Sequence, residues 1–331
     1  MSTHREIKFV KPPEGLPTAD CFETIEVPTP APADGEVLVQ THVLSIDPYM
    51  RRAMGGGRNQ YQLAPGATMI GRGAGVVIKS RHPGFKEGDA VQSEFGWREL
   101  TILKGDGLRK LAPDLQPLSS SLGIVGQSGA TAFVGLHDIA AIQPGETVVV
   151  SAAAGAVGSA VCQIARISDC RVIGIAGGPE KCRHAVEDLG FDDCIDYKAG
   201  PIDDALAQAA TDGVDVYYDN VGGEILEAVL DQTNEGARVP ICGQISQYNS
   251  ESKTGLRNVH LLLDRSIKIQ GFRIGAYLER RDFALEQLLQ WWRDGRLEYR
   301  ETVSVGFETA PAALINMLTG GNYGKQIVKV V

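Results

Sequence analysis

The run SAAAGAVGS at 151–159 constrains this chain more than any other stretch. An apolar, strand-like segment (TVVVS) leads into it, and a helix-like segment over 157–168 follows. Ala153, Gly155 and Gly158 fill the three small positions of an A-x-G-x-x-G pattern. In such a turn the middle glycine lets the backbone approach a pyrophosphate, and the last lets the helix lie close against the sheet. The helix N-terminus then presents free N–H groups and the positive end of its dipole. The plainer alternative is a tight strand-to-helix turn with no ligand. The strand before it and the helix after it favour a nucleotide seat.

Around this turn, strand-like and helix-like segments alternate. Strands are expected over 146–151, 171–176, 193–197, 214–219, 237–242 and 267–272, with helices over 157–168, 180–189, 203–210 and 223–230. A further helix is expected over 282–293, ending at Gly295. Apolar strands alternating with helices predict βαβ units and a parallel, doubly wound sheet. Residues before about 125 have a different texture: GEVLVQTHVLSI, GAGVVIKS and DAVQSEFGW are short strand candidates between proline- and glycine-rich turns. The tail after 298 returns to that texture. We therefore expect an α/β protein in which a doubly wound domain, 126–297, is inserted into a β-rich domain, 1–125 and 298–331. The length of 331 residues suits two domains.

The uncharged run from Thr147 to Ala165 is about as long as a membrane span. It changes from TVVV to small, glycine-containing sequence, which reads as a buried strand, turn and helix. The 32 Lys and Arg against 41 Asp and Glu give a net charge of −9, which argues against a nucleic-acid or anionic-membrane surface. The N-terminal MSTHREIKFVKPPEG lacks the apolar stretch of a signal peptide. The six cysteines form no CxxC pair and no zinc-like cluster. Reduced thiols in the cytoplasm are the expectation.

The choice of nucleotide turns on the end of the second strand of the expected sheet. An NAD site places a carboxylate on the ribose there. Here Gly177 and Gly178 occupy that place, followed by Lys181 and Arg183. The missing acid removes repulsion against a 2′-phosphate and a nearby cation could pair with it, so NADPH is favoured. One of the two cations is expected to be only a solvated helix charge. The histidines are scattered, and there is no HExxH or GxSxG run. A nicotinamide enzyme needs neither, because the cofactor carries the hydride.

SIDPYMR (45–51), SAAAGAVGS, DVYYDNVGGEIL (215–226), CGQISQYN (242–249) and GNYGKQIVKV (321–330) stand in the order and spacing of one family. The chain closely resembles the zinc-independent medium-chain dehydrogenase/reductases of the leukotriene B4 12-hydroxydehydrogenase/prostaglandin 13-reductase type, with the plant double-bond reductases and bacterial curcumin reductases. The resemblance covers nearly the whole chain. It implies a Rossmann domain inserted in a GroES-like β-barrel catalytic domain, and NADPH-dependent reduction of the carbon–carbon double bond of an α,β-unsaturated aldehyde or ketone.

Residue by residue, the resemblance implies that Gly155, Ala156, Val157 and Gly158 hold the pyrophosphate and that Lys181 and Tyr197 face the 2′-phosphate. Asn220, the run Cys242, Gly243, Gln244, Ile245, Ser246, Gln247 and Tyr248, then Phe272, Arg273, Ile274 and Asn322 would line the rest of the cofactor. Tyr49 and Tyr248 would border the substrate, where a phenol can donate a hydrogen bond to a developing enolate without losing its proton at neutral pH. The cofactor's ribose hydroxyl could equally take that part, and each tyrosine could instead be a packed ring.

GRGAG (71–75) stands where zinc-dependent relatives carry a Gly-His-Glu run, and its His and Glu are absent. The Gly55–Gly57 run before Arg58 reads either as a loop over the pocket or as a surface turn. A quinone oxidoreductase of the same superfamily and an NADPH-binding dimer with little turnover are the competing readings. The strand near 267–272 is expected at the sheet edge, where exposed pairing groups invite a partner. A homodimer follows by analogy.

Overall fold

The computed structural model describes residues 2–55, 62–249 and 255–331. The chain forms two compact units, Met1–Leu122 with Arg300–Val331, and Gly123–Tyr299.

The first unit opens with β1 (Thr3–Phe9) and β2 (Phe22–Pro28), which pair antiparallel. β3 (Glu36–Ser45), the short α1 (Tyr49–Ala53), β4 (Arg72–Ser80), β5 (Ala90–Glu94), β6 (Leu100–Lys104) and β7 (Arg109–Lys110) follow. The long β3 pairs with both β4 and β6, each antiparallel. Its alternating Val37, Val39 and Thr41 side chains are fully buried, as period-2 patterning requires of a core-facing strand.

The second unit begins with α2 (Gln127–Val134) and then winds βαβ. β8 (Thr147–Ser151) leads to α3 (Ala156–Ile167), β9 (Arg171–Ala176) to α4 (Pro179–Glu187), and β10 (Asp193–Asp196) to α5 (Ile202–Ala209). β11 (Val214–Tyr218), α6 (Gly223–Leu230), β12 (Thr233–Ile241), α7 (His260–Asp264), β13 (Lys268–Gly271) and α8 (Leu278–Arg293) complete it. The six strands lie parallel in the order β10-β9-β8-β11-β12-β13. The order reverses between β8 and β11, and the crevice at such a switch point is where doubly wound sheets bind ligands. All five residues of β8 are buried. The apolar run 147–165 is thus interior strand, turn and helix, and no helix among the described residues is long and apolar enough to cross a membrane.

The chain then returns to the first unit through β14 (Glu301–Val305), α9 (Ala310–Leu318) and β15 (Lys325–Lys329). β15 pairs antiparallel with β3 and parallel with β14, completing a seven-stranded sheet.

One strand starts earlier than expected, and one helix was not expected. β12 starts four residues before the expected 237 and takes in the Asn234-Glu235-Gly236 run. Gly236 adopts a left-handed φ of +75°, and the register with β11 shifts there. Helix α2 has no amphipathic signature. Its Gly129 lies so close to the Ile124 carbonyl that a Cβ there would approach within 1.9 Å, so only glycine fits at that position.

Candidate functional site

β8 delivers the chain into the turn at Ser151. Ala152 takes a left-handed φ of +52°, and the Ala153 N–H reaches the Ile175 carbonyl of β9 at 3.1 Å. Gly155 is extended and caps α3 with no side-chain acceptor on the helix's first N–H groups. A Cβ on Gly158 would stand 2.3 Å from the Ala152 carbonyl oxygen and 2.8 Å from Ala153 Cα, so only glycine lets the first turn of α3 lie flush on the turn. The N–H groups of Ala156, Val157 and Gly158 are therefore held where an anion can meet them.

At the end of β9, Gly177 and Gly178 leave room instead of a carboxylate. Gly178 has φ +100°, and its N–H donates to Asp196 Oδ1 at 2.7 Å. Lys198 N–H donates to the same oxygen at 2.9 Å, so this neighbouring acid serves the backbone. The Tyr197 ring, 45% exposed, covers Gly177, whose added Cβ would come within 2.8 Å of the Tyr197 hydroxyl. Burial, and then the charge of Lys198, push the Lys181 ammonium below its ordinary pKa. That surrounding is one a bound phosphate dianion would relieve. Arg183, by contrast, is exposed and lies 3.9 Å from Glu187 one turn along α4, an ordinary surface pair. Of the two cations, Lys181 is thus the partly desolvated one and Arg183 the solvated one.

On the other side of the switch point, Asn220 follows β11. Its Nδ2 donates to the Ser151 carbonyl at 2.8 Å and its N–H to Ser151 Oγ at 3.0 Å. The Cys242–Tyr248 run crosses beside it. Ser246 Oγ donates to the Val221 carbonyl at 2.6 Å, and the Tyr248 hydroxyl accepts the Gln244 N–H at 3.4 Å. Ile245 and Gln247 complete a single 3-10 turn. Gly243 is in close approach, since a Cβ there would lie 3.0 Å from the Asn220 carbonyl and 3.4 Å from the Tyr248 hydroxyl. Burial pushes the Cys242 thiol up to about 12, against a hydrogen bond from Tyr218, so it remains protonated and is no nucleophile. Phe272 stands edge-on to Tyr218, Arg273 precedes a short 3-10 turn, and Ile274 at its start is buried.

Two residues of the expected site belong to the first unit. Tyr49 opens α1 with its hydroxyl buried beside Glu94, which pairs with Arg72 at 2.7 Å. Asn322 Nδ2 donates to the Gly324 carbonyl at 2.9 Å. The two runs that carry these residues meet through Lys325, whose ammonium donates to the Ile46 carbonyl at 2.6 Å. Of the Gly55–Gly57 run, Gly56, Gly57 and Arg58 lie outside the described residues. Among the described residues no three His, Cys, Asp or Glu side chains gather to hold a metal ion.

Sequence reasoning missed Asp219, a fully buried carboxylate beside Ser151 and Asn220. Its signal was present: an acid placed directly after the apolar strand VDVYY.

Comparison with known proteins agrees with this architecture. Residues 5–111 match the family described as the N-terminal domain of oxidoreductase, and residues 156–291 match that described as zinc-binding dehydrogenase. Together these define a dehydrogenase/reductase of two domains. The chain is 41% identical to the NADPH-dependent curcumin reductase of Escherichia coli, over 96% of this chain and 94% of that one. It is 42% identical to prostaglandin reductase 1 of Rattus norvegicus, over 96% of each. The crystal structure of CurA from Vibrio vulnificus in complex with NADPH superposes with a TM-score of 0.93 at 40% identity, covering 99% of both chains. The chain belongs to the medium-chain dehydrogenase/reductase family, in the zinc-independent branch of the curcumin and prostaglandin reductases.

Proposed function

We propose that this protein reduces the carbon–carbon double bond of α,β-unsaturated aldehydes and ketones, with NADPH as its hydride source. The observation that carries the cofactor reading is the pair of glycines, Gly177 and Gly178, where an NAD site needs a carboxylate, with Lys181 beside them in a cationic surrounding. The named relatives support the reaction class, being an NADPH-dependent curcumin reductase and a prostaglandin reductase.

The residues fit the cofactor in three places. The uncapped N–H groups of Ala156, Val157 and Gly158 would hold the pyrophosphate. Lys181 and Tyr197 would face the 2′-phosphate. Asn220, the Cys242–Tyr248 run, Phe272–Ile274 and Asn322 would line the remainder. When bound, NADPH supplies the hydride. The chain's own part is to orient the substrate and to stabilise the negative oxygen that forms after hydride reaches the β-carbon. The Tyr248 hydroxyl, which accepts the Gln244 N–H, would donate toward such an oxygen. Tyr49 would border the substrate.

We also propose a cytoplasmic homodimer. Among the described residues no strand pairs with the outer edge of β13, and Leu263 of the preceding α7 is 84% exposed. Sedimentation at micromolar concentration should give a mass near twice that of the chain.

The test of function is NADPH consumption by chelator-treated protein against 2-alkenals, enones and quinones, with NADH in parallel. Saturated carbonyl products from enals or enones, with NADPH preferred, are the expected result. Turnover with quinones alone would replace this reading by that of a quinone oxidoreductase. Tight NADPH binding with no turnover across the panel would leave a binding protein.

A further inference from the structure

The nucleotide-proximal ends of β8, β11 and β12 all bond to one residue that no sequence motif singled out. Asp219 follows β11 and is fully buried. Its Oδ1 accepts four hydrogen bonds, from Gly222 N–H at 2.8 Å, Tyr217 hydroxyl at 2.9 Å, Val221 N–H at 3.0 Å and Ser151 hydroxyl at 3.2 Å. Its backbone carbonyl accepts the N–H groups of Cys242 at 2.8 Å and Gly243 at 3.1 Å, where the lining run after β12 begins. The Ser151 hydroxyl, having given its proton to Asp219, can only accept at its free lone pairs, and it accepts the Asn220 N–H at 3.0 Å.

We propose that Asp219 is a positioning residue for the part of the cofactor beyond the adenosine: through the Ser151 hydroxyl and the turn amides it sets the place of Asn220 and the start of the Cys242–Tyr248 run. This assignment rests on the NADPH reading above and deepens it.

The alternative is a carboxylate that merely stabilises the sheet. Two features argue against that. A buried acid is costly to desolvate, and an apolar residue would fill β11 without that cost. Burial indeed pushes the Asp219 carboxyl above the ordinary range despite its donors. In addition, its Oδ2 is buried with no hydrogen-bond partner among the described residues, so the second oxygen adds nothing to the network. What the residue does supply is one acceptor point at which three segments of the proposed seat converge. The groups assigned to the adenosine end, Gly177, Lys181 and Tyr197, sit just after β9, on α4 and just after β10, across the switch point.

That separation supplies the test. NADPH and 2′,5′-ADP, which carries only the adenosine and 2′-phosphate, are titrated against the wild type, Asp219→Asn and Ser151→Ala, with thermal unfolding of each variant. Asp219→Asn keeps an acceptor but places an amide N–H₂ where nothing can take it. Ser151→Ala removes the relay and leaves the carboxylate in place. The expected result is a Kd for NADPH raised about tenfold or more, as the loss of a hydrogen bond to a charged group predicts, with that for 2′,5′-ADP within about twofold of wild type. Should Asp219→Asn fail to fold, Ser151→Ala alone carries the test. Equal weakening of both ligands, or of neither, in a folded variant would overturn the assignment in favour of a purely structural carboxylate. A wild-type chain that binds neither ligand would overturn the proposed function, and this assignment with it.

Discussion

Lys325 Nζ lies 3.0 Å from Asp47 Oδ1, across 278 residues of chain. The ammonium is only 1% exposed and also donates to the carbonyls of Ile46 at 2.6 Å and Gln326 at 3.1 Å, so all three of its protons are placed. The Ser45 hydroxyl bonds the other oxygen of Asp47. This one cation ties the C-terminal GNYGK run to the SIDPYMR run that carries Tyr49. Removing one partner of a buried ion pair strands the other, at about 3–5 kcal/mol. Lys325→Met should lower the unfolding free energy by about that amount in urea titrations. Asp47→Asn should cost less, because its amide oxygen still accepts. A loss for Lys325→Met no larger than that of a surface substitution would show the pair to be dispensable.

Lys181→Ala should weaken NADPH by about tenfold to a hundredfold, the range expected for losing a charge-assisted bond. NADH should change little, since the pyrophosphate turn at Gly155–Gly158 is untouched. Direct titration of both nucleotides checks this, and equal weakening would remove Lys181 from the 2′-phosphate site. Arg183→Ala, at an exposed pair with Glu187, should leave both affinities unchanged.

Gly158→Ala tests the close approach of α3. Its methyl would meet the Ala152 carbonyl oxygen at 2.3 Å, backbone that cannot step aside cheaply. Overpacking of this kind costs about 1–3 kcal/mol. Both a lower melting temperature and poorer NADPH binding are expected. Gly107→Ala, where an added Cβ meets nothing within 4 Å, is the control that should behave as wild type.

Tyr248→Phe removes the hydroxyl that the Gln244 N–H holds. Turnover should fall while NADPH affinity stays within about twofold, because a donor aimed at developing charge acts in the transition state. Unchanged turnover would leave Tyr248 as a packed ring.

Glu6 makes the acid limb of stability testable. Burial opposes its charge, but hydrogen bonds from Lys8 and Thr68 and the Arg98 guanidinium outweigh it and hold the carboxyl down to about 2. A carboxyl depressed in the folded state stabilises fully above its unfolded pKa of about 4.3 and loses that contribution as pH falls toward the folded value. The stability difference between wild type and Glu6→Gln should therefore be constant above about pH 6 and shrink between about pH 5 and 2. A difference that grows on acidification would reverse the sign and refute the assignment.

Much of the fold was legible in local patterning. β9 and α6 lie within the residues that their apolar runs predicted, and β13 is the edge strand expected near 267–272. Misreadings came where side-chain chemistry was silent. β12 begins at Thr233 rather than 237, with a register shift against β11 and a left-handed Gly236, and α2 has no counterpart among the expected helices.

The sequence by itself determined the strand, glycine turn and helix at 147–167, the alternation that winds the sheet, and the absence of an acid after β9. Each depends on neighbours a few residues apart, where backbone freedom and hydrophobic period act directly. Only the tertiary structure decided that Lys181 is partly desolvated while Arg183 is a surface charge, that Asp219 gathers three strand ends, and that Lys325 meets Asp47. The physical reason is that a buried polar group must find its partner wherever the fold brings one, and no local period encodes a partner 68 or 278 residues away.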